Sequence, residues 1–83
     1  MKILNLISTY RGLITSVDSF VSYSSSRESL AEIADIAEAE FRRRIIKSYP
    51  DEADNMDEYL DSWCYTNNDG FEINLRWSSI VDY

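Results

Sequence analysis

Ile3-Leu4-Asn5-Leu6-Ile7-Ser8-Thr9-Tyr10-Arg11-Gly12-Leu13-Ile14-Thr15-Ser16-Val17-Asp18-Ser19-Phe20-Val21 is the stretch on which the fold turns. On a helical wheel, Ile3, Leu6, Ile7, Tyr10, Leu13, Ile14, Val17, Phe20 and Val21 share one arc of roughly 140°. Asn5, Ser8, Gly12, Ser16 and Ser19 take the opposite face, and Leu4 alone strays. The separation predicts a helix over about 3–22. Composition pulls the other way: Thr15-Ser16-Val17-Asp18-Ser19 is poor helix material, and a helical Gly12 costs about 1 kcal/mol against alanine. The alternative is a strand over 13–23, with Leu13, Val17, Val21 and Tyr23 on one face, as the third strand of a small antiparallel sheet.

Downstream the patterns are plainer. Ser25 and Glu28 form an S-x-x-E capping box, and Leu30, Ile33, Ala34, Ala37, Phe41 and Ile45 make an apolar stripe for a helix over about 26–48. Pro50 disfavours helical geometry at Tyr49, so that helix stops there. A shorter helix is predicted over about 52–62, with Ala53, Met56, Tyr59, Leu60 and Trp63 on one face. Phe71-Glu72-Ile73-Asn74-Leu75-Arg76-Trp77 alternates as a half-buried strand does. A loop of Asn68-Asp69-Gly70, with Gly70 at positive φ, sets Ile73 opposite Tyr65 and Leu75 opposite Trp63, apolar on apolar. The expected architecture is therefore α+β: three helices followed by a C-terminal β-hairpin of about 63–67 and 71–77, in a single domain over 1–83.

Bulk composition narrows the function classes. The chain has 83 residues, 45% of them hydrophobic, and a net charge of -7. An acidic surface repels nucleic acid and anionic membrane and favours basic protein surfaces. One cysteine, Cys64, has no internal partner, and no window offers the ~20 apolar residues of a bilayer span. The N-terminal apolar stretch is interrupted by Asn5, Arg11 and Asp18 and is followed by no small-residue cleavage site. These features lead us to expect an unprocessed, cytoplasmic chain.

The negative charge is concentrated. Between Lys47 and Arg76 lie Asp51, Glu52, Asp54, Asp57, Glu58, Asp61, Asp69 and Glu72, eight acids and no base; the remainder holds seven acids and eight bases. On a helix, Asp51, Asp54, Glu58 and Asp61 line one stripe with Asp57 beside it. Their carboxylates recur about every 5 Å of axis, against one phosphate per ~3.4 Å for a DNA strand. Such a rod is suited to a cleft built for nucleic acid, although a solvated acidic face is also common on helices. Tyr59, Trp77 and Tyr83 are the aromatics expected at an interface, where Tyr and Trp are enriched. The candidate contact set is Asp51, Asp54, Asp57, Glu58, Asp61, Asp69, Glu72 and Tyr59.

Catalytic chemistry finds little support. Histidine, the commonest general base and metal ligand, is absent. Reading Asn67-Asn68-Asp69-Gly70 as a calcium loop puts Tyr65 first and Arg76 twelfth, where carboxylates are required. No glycine-rich phosphate loop or nucleophile elbow occurs. Arg42-Arg43-Arg44 with Lys47 would suit phosphate, but consecutive helical residues diverge and Glu38 and Glu40 stand ready as i,i+4 partners for Arg42 and Arg44. The chain is read as a non-enzyme needing no cofactor or metal, binding a basic protein surface rather than nucleic acid or membrane, as monomer or homodimer.

In size and charge the chain resembles small acidic phage-encoded anti-defence proteins, the anti-CRISPR and anti-restriction inhibitors. That profile implies an inhibitor seated in the basic cleft of a nuclease or nucleic-acid-binding complex. Asn55-Met56-Asp57, followed by Asp61 and Trp63, resembles over nine residues the Asn-Leu-Asp segment of the barstar family. That likeness implies the alternative of an immunity protein or antitoxin against a cationic nuclease toxin. A homodimeric adaptor or structural subunit, using the apolar stripe of 3–21, is the third possibility.

Overall fold

The computed structural model describes residues 1–24 and 26–79. It shows two helices and four antiparallel strands in the order β-β-α-α-β-β. The strands are β1 (Lys2–Tyr10), β2 (Leu13–Ser22), β3 (Cys64–Thr66) and β4 (Phe71–Ser79). Helix α1 spans Arg27–Ser48, a 3₁₀ segment covers Pro50–Asn55, and helix α2 spans Met56–Ser62. The sheet order is β2-β1-β4-β3.

The three-helix expectation is thus overturned at its first element. Residues 3–22 are not a helix but a β-hairpin: the alternative strand over 13–23 is present as β2, but it pairs with β1 at the sheet edge, a partner that neither reading of that stretch supplied. Three physical causes decide it. The stretch is rich in β-branched residues, which pack well on a pleated surface. Gly12 sits at φ +84°, beside Arg11 at φ +52°, so the two-residue loop has the positive φ pair that matches strand twist. Leu4 and Leu6, two apart, are both fully buried, as period-two packing requires. Leu13 and Ile14, assigned to the core by the wheel, are instead 74% and 68% exposed.

The helices cover one face of the sheet. Leu4 and Leu6 of β1, Ile73 and Leu75 of β4 and Tyr65 of β3 meet Ala37, Phe41 and Ile45 of α1 and Met56 of α2. Ser26 caps α1, its hydroxyl accepting from the Ser29 amide at 3.2 Å and filling the role assigned to Ser25, which lies outside the described residues. Ala53, expected on the apolar face, is exposed. The other sheet face carries no helix. There Ser19 Oγ donates to Asn5 Oδ1 (2.9 Å) and Asn5 Nδ2 donates to Ser78 Oγ (3.1 Å), a polar rung across β2, β1 and β4.

β4 lies antiparallel to both β1 and β3. Tyr65 pairs with Ile73, Gly70 has φ +89°, and the Leu75 amide donates to the Trp63 carbonyl at 3.0 Å. That is the three-residue-loop register. Asn67 organises the turn, its Oδ1 accepting from the amides of Asp69 (3.0 Å) and Phe71 (3.2 Å).

Candidate partner-binding surface

Tyr49 ends α1, and Pro50 opens the next turn with its φ already suited to a helix. The Glu52 amide donates to the Tyr49 carbonyl at 3.0 Å, an i→i+3 bond that sets the tighter 3₁₀ winding. The acidic run therefore does not ride on one continuous α-helix over 52–62, as expected; it begins on a 3₁₀ segment and passes into α2 only at Met56. The consequence is a change of stripe. In 3₁₀ geometry residues three apart eclipse at roughly 6 Å of rise, so Asp51, Asp54 and, at the junction, Asp57 fall in line. Glu58 and Asp61 follow on α2.

A cluster of rings supports this surface from beneath. Tyr65 meets Tyr59 edge-on at 4.7 Å between centroids, and Tyr49 and Phe71 each at 6.1 Å. Tyr49 and Phe71 lie 5.5 Å apart. Each such pair contributes about 0.5–1.5 kcal/mol beyond its buried area, so the cluster fixes the acidic segment to the β3–β4 turn. Trp63 closes α2 in the left-handed region at φ +54° and donates from Nε1 to Glu38 Oε1 at 2.9 Å, tying the end of α2 to α1.

The predicted contact residues divide. Asp51, Asp54, Asp57, Glu58 and Asp61 are all exposed along the 3₁₀–α2 segment, and Asp69 is exposed at the turn tip. Glu72 is exposed too, but it alternates with buried Ile73 and so lies on the helix-free sheet face, away from α2. Tyr59 is half-buried, its hydroxyl donating to Glu52 Oε2. That bond, with burial adding to it, raises the Tyr59 hydroxyl to about 12. Its hydroxyl is thus engaged within the chain, and its ring packs on Tyr65. Tyr83 lies outside the described residues, and Trp77 is 37% exposed, stacked obliquely near Trp63 at 6.3 Å.

Ion pairing sharpens the contrast. The salt bridges among the described residues join Arg43 to Glu40 and Arg44 to both Glu40 and Asp18. They all sit where α1 crosses β2. The Arg43 hydrogen bond, with Arg44 adding to it and partial burial opposing, holds the Glu40 carboxyl down at about 2. Arg43 and Arg44 of the basic run are therefore engaged internally, while Arg42 and Lys47 are in none of these bridges, and no acid between Asp51 and Glu72 takes part in any of them. Sequence reasoning missed Glu52 as the residue that holds Tyr59; its only signal was the seven-residue spacing between them.

Among the described residues no three His, Cys, Asp or Glu side chains gather to hold a metal ion, and no helix is long and apolar enough to cross a membrane. Cys64 is a half-buried free thiol. Compared with family models, curated proteins and solved structures, the chain matches none.

Proposed function

We propose that this chain is a non-enzymatic, cytoplasmic acidic inhibitor that occupies the basic cleft of a nuclease or other nucleic-acid-binding protein, in the manner of phage anti-CRISPR or anti-restriction proteins. One observation carries the reading. Asp51, Asp54, Asp57, Glu58 and Asp61 are exposed, outside every ion pair of the described residues, and held on a segment that Tyr49, Tyr59, Tyr65 and Phe71 anchor. Like charges so close mildly destabilise the segment that bears them. In a domain this small, whose total stability is marginal, an unrelieved acidic run favours a role in binding. A cationic cleft relieves the repulsion, which also steers association.

The test is capture from a bacterial lysate at low salt with the immobilised protein, followed by elution with added DNA. The expected result is recovery of a nucleic-acid-binding protein that DNA displaces, and its loss when Asp54, Glu58 and Asp61 are changed together to Asn, Gln and Asn. Equal recovery by that variant, or a partner indifferent to DNA, overturns the reading. An immunity protein would use the same surface, and recovery of a single dedicated toxin would identify it.

A further inference from the structure

The strand β2 forms one edge of the sheet and the three-residue β3 the other. Edge strands expose unpaired backbone donors and acceptors, and proteins usually blunt them with lysine, proline or short length. β2 runs for ten residues without lysine, arginine or proline. Its one charge, Asp18, pairs with Leu6 in register, on the helix-covered side, and is neutralised by Arg44. The bulge opposite Ser8 and Thr9 distorts only the turn end, leaving 16–22 regular.

The exposed large apolar residues gather here. Leu13 (74%), Ile14 (68%) and Val17 (53%) lie on β2, and Tyr23 (86%) follows directly. Ile36, 56% exposed, stands on the flank of α1 above the same edge. Between them runs an open groove of about 390 Å³ lined by Phe20, Ile36, Ala39, Glu40, Arg43 and Arg44. Strand edge and helix flank thus present a two-layer apolar surface with balanced charge.

We propose that this edge binds a second copy of the chain, β2 pairing antiparallel with β2 about a two-fold axis through Ser19 to give one eight-stranded sheet. In that register Val17 faces Val21 of the second copy, Asp18 faces Phe20, and the two Asp18 carboxylates avoid direct opposition. A register centred on Asp18 would place like charges opposite, which is destabilising. One centred on Val17 would draw the bulge into the pairing.

Charge favours a second copy as the occupant despite the net -7 of each chain. The two-fold axis sets α1 antiparallel to its counterpart, so Glu32, beside Val21, Ser22 and Tyr23 of one copy, comes to the end of the groove that holds Arg43 of the other. Helix α2 packs over β3, and neither α2 nor the 3₁₀ segment contacts β2. Joining the β2 edges leaves the two β3 strands seven inter-strand steps apart, roughly 33 Å at about 4.8 Å per step. That is about four Debye lengths at physiological ionic strength. The dimer is free of the repulsion that net charge alone implies, and it displays its acidic surfaces at opposite ends. This interface stands whether or not those surfaces bind a nuclease.

Light scattering across about 5–500 μM tests it, together with a thiol cross-link. All variants are made beside Cys64→Ser so that only the introduced thiol reacts. The expected result is a dimer whose dissociation constant rises at least tenfold in Val17→Lys and in Ile36→Lys, both at exposed positions, with unchanged circular dichroism. Ser19→Cys, on the two-fold axis, should be captured as a covalent dimer by a short bis-thiol reagent, and Thr66→Cys at the other edge should not. A wild-type monomer throughout, a dimer indifferent to both lysine variants, or cross-linking at residue 66 but not 19 overturns the proposal.

Discussion

The Arg11 amide donates to the Gly70 carbonyl at 2.8 Å, joining the β1–β2 turn to the β3–β4 turn across the end of the sheet. A Cβ on Gly70 would meet Arg11 Cγ at 2.9 Å and the Arg11 amide nitrogen at 3.4 Å. Gly12, at a similar positive φ, has nothing within 4 Å of its notional Cβ. Both glycines supply a left-handed backbone; only Gly70 also supplies room. Gly12→Ala should therefore cost about 1 kcal/mol, the left-handed penalty alone. Gly70→Ala should cost roughly 2 kcal/mol or more, because the turn contact must also shift. Chemical denaturation of the two variants reads the difference directly, and equal costs would remove the turn-to-turn contact from the account.

Two leucines separate the hairpin from the helix reading of residues 3–21. Leu4 is fully buried in β1 and Leu13 is 74% exposed at the start of β2. Leu4→Ala should cost about 2–5 kcal/mol, as buried large-to-small changes do. Leu13→Ala should stay within about 0.5 kcal/mol. On the helical wheel the order would reverse, so urea midpoints for the pair are decisive.

That contrast also explains what was legible. The helix-free face of the sheet retains Ile3, Ile7, Ile14, Val17 and Val21, so apolar residues occur on both sides of β1 and β2. Two-sided apolarity erases a clean period of two and leaves a spurious helical arc. Leu4, which spoiled the wheel, is at the centre of the core. The turn was hidden as well, because Arg11-Gly12 lacks the Asn or Asp that usually announces a positive φ pair. Arg11 tolerates φ +52° while bonded to Gly70, with its guanidinium 5.3 Å from the Tyr10 ring centre. By contrast, α1 and the Asn67–Gly70 turn carry single-valued signals: a buried stripe at helical spacing, and side-chain-stabilised turn residues before strict alternation. In the candidate surface, charge was readable and placement was not. Pro50 starts a 3₁₀ segment that re-phases the acids, and Glu72 belongs by alternation to the other face.

The pH response of Glu40 has a definite sign. Its folded-state pKa of about 2 lies below its ordinary 4.5, chiefly through the Arg43 hydrogen bond. The folded state therefore binds this proton less readily than the unfolded state. The Glu40 contribution is fully present above about pH 4.5 and is lost as pH falls toward 2. Glu40→Gln should flatten the stability-pH curve in that window and lower the neutral limb by a constant amount without changing its slope. An unaltered acid limb would show that the Glu40 bridges are too solvated to contribute.

Tyr59 acts at the other end of the scale. The Glu52 hydrogen bond favours its neutral form and raises its pKa from 10 to about 12. Its stabilising contribution is present below about pH 10 and is lost as pH rises through 12. Absorbance titration at tyrosinate wavelengths should show late-titrating hydroxyls at Tyr59 and at Tyr65, the latter pushed up by burial, and Glu52→Gln should bring the Tyr59 step back toward the ordinary range. Tyr59→Phe should remove that step and retain the ring contact with Tyr65.

The acidic surface makes the sharpest functional demand. Asp54, Glu58 and Asp61 are exposed and belong to none of the ion pairs of the described residues, so their charges can be removed without breaking a bridge. The Asn, Gln, Asn triple variant should fold as well as the parent or slightly better, since i,i+3 and i,i+4 like-charge repulsion is relieved. Against a captured cationic partner, parent binding should weaken steeply with added salt, because exposed charges are screened within about 8 Å at physiological ionic strength. The triple variant should lose most of that affinity and most of the salt dependence together. Calorimetry beside a thermal melt distinguishes the outcomes. Lost binding with an intact melt assigns the contact to these carboxylates, and lost binding with a collapsed melt makes the segment structural. Full retention of binding would move the contact to the Arg42–Lys47 end of α1 and the exposed edge of Trp77.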